Sequence, residues 1–233
     1  MWDSRKAGKR GRLETPYLLT PLATGLPEPT SPFDYAQGVS FGMCGNNVYG
    51  DCTIAGVIHL LQVAYNSIGK VYTPPSDSEI ENEYFTLSGG QDTGLDVTSV
   101  LQTWSHDGLF GTKIDSFYEV DITNPQDVIN AIYTFSALYL AVDLPQSAET
   151  DFENHLIWSD AGDQPIGGHC IVASGARNNL IDLITWGAET ECTQNWFNAY
   201  TFKAYGVVPD IFIEVGHGPI ANFNFSELTQ LSA

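Results

Sequence analysis

The sequence predicts an α+β fold in which helices come first and a mostly antiparallel sheet follows. Three observations carry this. In residues 53–68, Ile54, Val57, Ile58, Leu61, Ala64 and Tyr65 recur at helical spacing with almost no charge between them. That is the pattern of a central helix buried on most sides. Residues 137–144, 169–176 and 180–186 are rich in β-formers, and the last two are joined across Arg177-Asn178-Asn179 as a hairpin. The helical stretches lie almost entirely in the first half and the β-rich ones in the second.

Taken in order, residues 1–40 read as an extended arm. Prolines at 16, 21, 27, 29 and 32 forbid a long helix and favour extended or turn backbone. Gly50-Asp51 marks a turn and Cys52 opens the central helix. His59 lies seven residues further on, two turns away, and reads as a packed or capping histidine. Pro74-Pro75 breaks the chain. Residues 76–87 form a second helix with acids in its first turn, where the helix dipole favours them. Residues 97–104 form a third, closed by Gly108 and Gly111. Asp92 and Asp96 lack the further ligands of a calcium loop, so a capping role is expected.

The second half continues with a strand at 114–120 and a helix at 127–135 capped by Thr123 or Asn124. The strands at 137–144, 169–176 and 180–186 follow, with further elements at 196–202 and 207–213. The domain organisation is therefore an arm, residues 1–40, and one domain, residues 41–233. The domain divides into a helical lobe, 41–112, and a β lobe, 113–233.

Charge restricts the partners. The chain has 233 residues and a net charge of −19. Arg5, Lys6, Lys9, Arg10 and Arg12 lie in its first twelve residues, with Asp3 the one acid there. That segment carries +4 and the rest −23. A body so acidic repels nucleic acid and anionic lipid. The basic arm suits an acidic protein surface or a second copy of the chain, or is a solvated tail. No apolar run spans a bilayer. Residues 16–26 are too short and too broken by Pro21 for a signal peptide, so a cytoplasmic location or a place in a virion is expected. The four cysteines, Cys44, Cys52, Cys170 and Cys192, match no zinc spacing. No cofactor is expected, and the thiols read as reduced.

Two motifs carry chemistry. Asn46-Asn47-Val48-Tyr49-Gly50-Asp51-Cys52-Thr53 puts a thiol at a helix N-terminus, where the dipole lowers its pKa. Gly167-Gly168-His169-Cys170-Ile171-Val172 puts a glycine-flanked histidine at the start of a strand. A cysteine and a histidine within reach of each other form a nucleophile with its own base.

A helical lobe led by this cysteine and a β lobe bearing this histidine resemble the papain-like cysteine peptidase superfamily. Gly50-Asp51-Cys52, Gly168-His169-Cys170 and Thr185-Trp186-Gly187 carry the resemblance, over roughly residues 41–205. It extends to papain-like proteins of bacteria and their phages with Gly-Asp-Cys-Thr, Gly-Gly-His and Thr-Trp-Gly signatures. The resemblance implies a helical lobe packed on an antiparallel, barrel-like β lobe, and a hydrolase of peptide or amide bonds acting on a peptide or protein. Cys52 would be the thiolate and His169 its base. Asn46 stands where the family's oxyanion glutamine stands, and Trp186 would shield the histidine. The family's third residue, an asparagine, is replaced here by Ile184, which cannot accept a hydrogen bond. Asp182, two residues earlier, is the expected substitute, with Thr185 facing the other way. The alternative is a weakly active or inactive papain-like body serving as a structural or assembly protein, such as a phage virion component, docked through its arm.

Overall fold

The computed structural model describes residues 26–221, 223–225 and 228. The basic residues Arg5, Lys6, Lys9, Arg10 and Arg12, and with them the arm as far as residue 25, lie outside the described residues.

Helix α1 (Cys52–Ser67) is buried at every position from Cys52 to Ala64. Each fully buried aliphatic side chain contributes about 1.5–3 kcal/mol, so this helix anchors one of the two cores. Its few polar side chains have a separate use. His59, Gln62 and Asn66 recur one helical turn apart and donate to main-chain carbonyls of the preceding segment. His59 Nε2 reaches Gly42 O (2.9 Å), Gln62 Nε2 reaches Ser40 O (3.0 Å) and Asn66 Nδ2 reaches Tyr35 O (2.9 Å). The stripe satisfies carbonyls that no ladder would serve, and it ties residues 35–42 along the helix.

Helix α2 (Asp77–Leu87) starts at a reciprocal cap, with Ser76 and Glu79 each bonding the other's main chain. It buries only Ile80 and Tyr84. Helix α3 (Val97–His106) is capped by Asp96 and buries Val97, Val100, Leu101 and Trp104, the apolar stripe of an amphipathic helix. Helix α4 (Pro125–Phe135) has proline in its first turn and Asn124 as its cap.

Seven strands form one sheet: β1 (Phe33–Asp34), β2 (Ile114–Glu119), β3 (Leu138–Pro145), β4 (Pro165–Arg177), β5 (Leu180–Thr185), β6 (Ala188–Thr193) and β7 (Thr201–Pro209). The order is β2-β7-β3-β4-β5-β6, with β1 added to β4, and every pairing is antiparallel. Helices α5 (Gln146–Glu153), α6 (Gln194–Tyr200) and α7 (Asp210–Val215) lie between and after these strands. Strand β6 and helix α5 were not expected from the sequence. Strand β6 lies at the sheet's edge, and its segment Ala188-Glu189-Thr190-Glu191 lacks apolar alternation because little of it is buried.

The sheet separates two cores. On one face Tyr139, Ala141, Cys170, Val172 and Ile184 pack with α1–α3. On the other, Leu140, Val142, Ile171, Leu183 and Trp186 pack with residues of α4 and α6. Helix α1 reaches the sheet because Gly56 has no side chain. A Cβ there would stand 2.9 Å from the Tyr139 ring and 3.1 Å from Cys170 Sγ. Tyr139 then locks the contact, donating its hydroxyl to Thr53 O at 2.6 Å.

Gly56→Val is therefore expected to lower stability by about 1–3 kcal/mol, the usual cost of overpacking, despite valine's better helix propensity. An unchanged urea midpoint would show that α1 does not depend on this close approach.

Candidate active site

Cys52 is the first residue of α1 and Asp51 its N-cap. The turn before it is pinned from the side. Asp92 Oδ1 accepts from Gly50 N and from the Tyr84 hydroxyl, both at 2.8 Å. Asp92, expected only to cap, thus fixes the entry to α1, whereas Asp96 does cap α3.

Cys52 lies close enough to the main chain of Cys170, the residue directly after His169, for that main chain to favour its thiolate. The two motifs, 117 positions apart in the sequence, therefore meet at one place, on α1 and β4. His169 is 5% exposed and Cys52 equally so. The His169 ring lies in a near-parallel stack against Trp186, with centroids 5.0 Å apart. Its Nε2 lies 2.8 Å from Thr185 Oγ1.

Trp186 and Gly187 form the two-residue turn between β5 and β6, and both have positive φ (47° and 72°). This is the turn geometry that matches the twist of a hairpin. A tryptophan there is rare and strained. Contacts with His169, Phe152 and Trp158 hold it. Gly187 is required twice over, by its φ and because a Cβ would meet the Gly42 main chain at 3.0 Å.

Two expectations are corrected. Asp182 does not orient His169. It pairs with Gly175 on β4, six residues along from His169, and its Oδ1 lies 2.9 Å from Arg177 Nη2. Six residues of strand span about 20 Å. The ring's partner is Thr185, which the sequence reading turned away from it. The register explains the difference. Val172 stands opposite Ile184, so Ile184 shares the face that packs on α1. Thr185 shares the other face with Ile171 and His169, as a diagonal neighbour of the latter. Arg177 also bonds Glu191 and approaches Asp34, so Asp182 belongs to an ion-pair network at the far end of β4.

The second correction concerns charge. Burial pushes the Cys52 thiol up to about 12 and the His169 imidazole down to about 3, with the neighbouring His59 a lesser cause for the latter. Main-chain N–H groups of Cys170, Thr53 and Cys52 favour the thiolate but are outweighed. A helix terminus is worth up to about 2 kcal/mol, whereas raising a thiol from 9.0 to about 12 takes about 4 kcal/mol. Burial therefore works against the charged form of each group.

Asn46 is buried, and its Nδ2 lies 3.2 Å from Asp51 Oδ1 and 3.5 Å from Tyr49 O. A second thiol–imidazole pair was not foreseen. Cys44 Sγ lies 3.9 Å from His59 Nε2. His59 Nε2 donates to Gly42 O, so this nitrogen carries a proton and cannot take one from Cys44. Burial raises Cys44 to about 12 and lowers His59 to about 4. The pair clasps the 42–44 loop to α1, as the packed histidine of the sequence reading would. All four cysteines are free thiols. Among the described residues no group of three or more His, Cys, Asp or Glu is placed to hold a metal.

A groove of about 330 Å³ opens beside Trp186, lined by Phe152, Leu156, Ile157, Glu189 and Glu191 among others. Leu156 and Ile157 are exposed there. No described helix is long and apolar enough to cross a membrane.

No family model matches the chain, and no curated protein matches it. Solved structures do. Xylellain, a cysteine protease from Xylella fastidiosa, superposes with a TM-score of 0.64 at 12% identity, over 87% of this chain and 96% of that one. Procathepsin B of Trypanosoma congolense gives 0.59 at 12% identity, covering 88% and 87%. A Carica candamarcensis cysteine protease gives 0.54 at 16%, covering 76% and 98%. The fold is papain-like, with the helical and antiparallel elements that the sequence predicts.

Asp51 is fully buried, and burial raises its carboxyl from 3.8 to about 7. A group whose folded pKa is raised holds protons that the unfolded chain has released, so its contribution to stability is lost as pH climbs from about 4 to about 7. The stability of Asp51→Asn relative to the parent is therefore expected to improve steadily across that window and level off above it. Thermal unfolding at several pH values reads this, and a pH-independent difference between the two proteins would contradict it.

Proposed function

We propose that the protein is a cysteine hydrolase of peptide or amide bonds, with Cys52 as nucleophile and His169 as its base. The observation that carries this is the convergence of a helix-N-terminal thiol with the main chain beside a histidine whose ring is held at Nε2 and covered by an indole. A merely packed cysteine needs none of these supports. The papain-like fold of the cysteine proteases named above supports the reading.

The chemistry follows from the resting protonation. With Nε2–H donated to Thr185 Oγ1, Nδ1 is the nitrogen free to accept. His169 takes the Cys52 proton as the sulfur attacks the carbonyl carbon, so thiolate and imidazolium arise together rather than waiting as a pair. The carbonyl oxygen becomes an oxyanion, bound by the Cys52 N–H at the helix start and by the Asn46 amide. Collapse breaks the C–N bond, and the amine leaves with the proton from His169. Water then gives a proton to His169 and its oxygen attacks the thioester. The acid departs and the thiol recovers its proton.

Cys52→Ala and His169→Ala are each expected to reduce hydrolysis of a peptide library by about a thousandfold or more. Thr185→Val should lower kcat about tenfold or more by releasing the ring, and Thr185→Ser should retain most activity. Hydrolysis that survives Cys52→Ala would refute the nucleophile.

A further inference from the structure

We infer that the groove along the open end of strand β6 is a docking site for a partner protein, which enters it as an extended segment of alternating basic and apolar side chains.

The groove exists because a strand pairing stops short. Trp158 joins the outer edge of β6 as a single parallel bridge, giving its N–H to Glu191 O and accepting from Thr193 N, both at 2.9 Å. Glu191 and Thr193 therefore present their main-chain groups away from β5. By the two-residue alternation of a strand, so does Glu189. Continuing the pairing would bring residue 156 beside Glu189. The end of α5 prevents this. His155 has a positive φ of 56°, and the Leu156 amide turns back to Asp151 O at 2.8 Å, which closes the helix. Among the described residues no main-chain group bonds the outward N–H and C=O of Glu189 or the N–H of Glu191. An open edge of this kind accepts an added strand.

The walls define the guest. Glu189 and Glu191 stand opposite Ile184 and Asp182 and share one face of the sheet with them. Arg177 also lines the groove but is already claimed, by Asp182 at 2.9 Å, Glu191 at 3.2 Å and Asp34 at 3.6 Å. Three carboxylates thus share one guanidinium. Glu189 adds a fourth, with no ion pair among the described residues. Burial, and after it the neighbouring Asp34, raises the Glu189 carboxyl, so an arriving cation relieves an existing excess of negative charge. The remaining wall is apolar. Phe152 and Trp186 belong to the core on the other face of the sheet, and Leu156 and Ile157 are exposed in front of them. A strand laid on β6 points successive side chains to opposite faces. One set meets the carboxylates and the other the apolar wall, which is why the guest alternates.

The test uses the full-length chain carrying Cys52→Ala, so that no peptide is cut. Fluorescein-labelled Lys-Val-Lys-Val-Lys is titrated into it, with Lys-Gly-Lys-Gly-Lys and Glu-Val-Glu-Val-Glu as comparisons, and the Glu189 and Glu191 amide resonances are followed. Lys-Val-Lys-Val-Lys should bind about tenfold or more tighter than either comparison, and both resonances should move. Adding Glu189→Lys should abolish that preference and favour the acidic peptide. Equal affinity for the valine and glycine peptides would reduce the effect to the acidity of the whole body and overturn the inference, as would resonances that stay in place. It is equally overturned if the peptide binds only after Arg5, Lys6, Lys9, Arg10 and Arg12 are all changed to Gln, because the occupant is then the chain's own arm. Should Glu189→Lys fail to fold, Glu189→Gln takes its place and is expected to abolish the preference without reversing it.

Discussion

The contact of α1 with strand β4 is the constraint from which the rest of the site follows. Gly56 lets the helix close on Tyr139 and Cys170, and the Tyr139 hydroxyl fixes the first turn through Thr53 O. With the helix seated there, Cys52 lies close to the Cys170 main chain. His169 is then the adjacent residue on the strand. A larger side chain at position 56 would separate thiol and histidine without touching either.

The same close packing decides the electrostatics. For a thiol and an imidazole held this deep, burial penalises the charged forms more than the helix N-terminus and nearby amides reward them. Asp51 obeys the same rule, since burial keeps its proton on up to about pH 7. The region around the start of α1 and His169 is thus a set of buried groups with displaced titrations. Among the described residues, none of the groups that shift Asp51 or Cys52 is a cation that would offset the burial.

Polar groups on an otherwise apolar helix form the second support. His59, Gln62 and Asn66 look like interruptions of α1's hydrophobic pattern. They bond the carbonyls of residues 35–42, a segment with little regular structure of its own. The 42–43 main chain in turn packs against Gly187, next to the Trp186 turn that covers His169. Loop, helix and hairpin therefore brace one another around the imidazole, and the strain of a tryptophan at positive φ is confined to that point.

Local information sufficed for the elements. The apolar period of α1, the capping signals at Ser76, Asp96 and Asn124, and the β-rich runs of β3, β4 and β5 could each be read within about a dozen residues. Cys52 at a helix start and His169 at a strand start were legible for the same reason. The edge strand β6 was not, because little of it is buried and nothing imprints an apolar alternation. Partners across the sheet were not legible either. Whether Ile184 or Thr185 faces His169 depends on which residue of β4 stands opposite which residue of β5, and a slip of one residue exchanges the two faces. The pairing of Asp182 with Arg177, the Cys44–His59 clasp and the turn of Asp51 toward Asn46 likewise depend on close approach in three dimensions. The sequence by itself determined the order and type of the elements and the two residues best suited to the chemistry. Tertiary structure alone decided their partners and protonation, because register and burial come from the packing of segments distant along the chain.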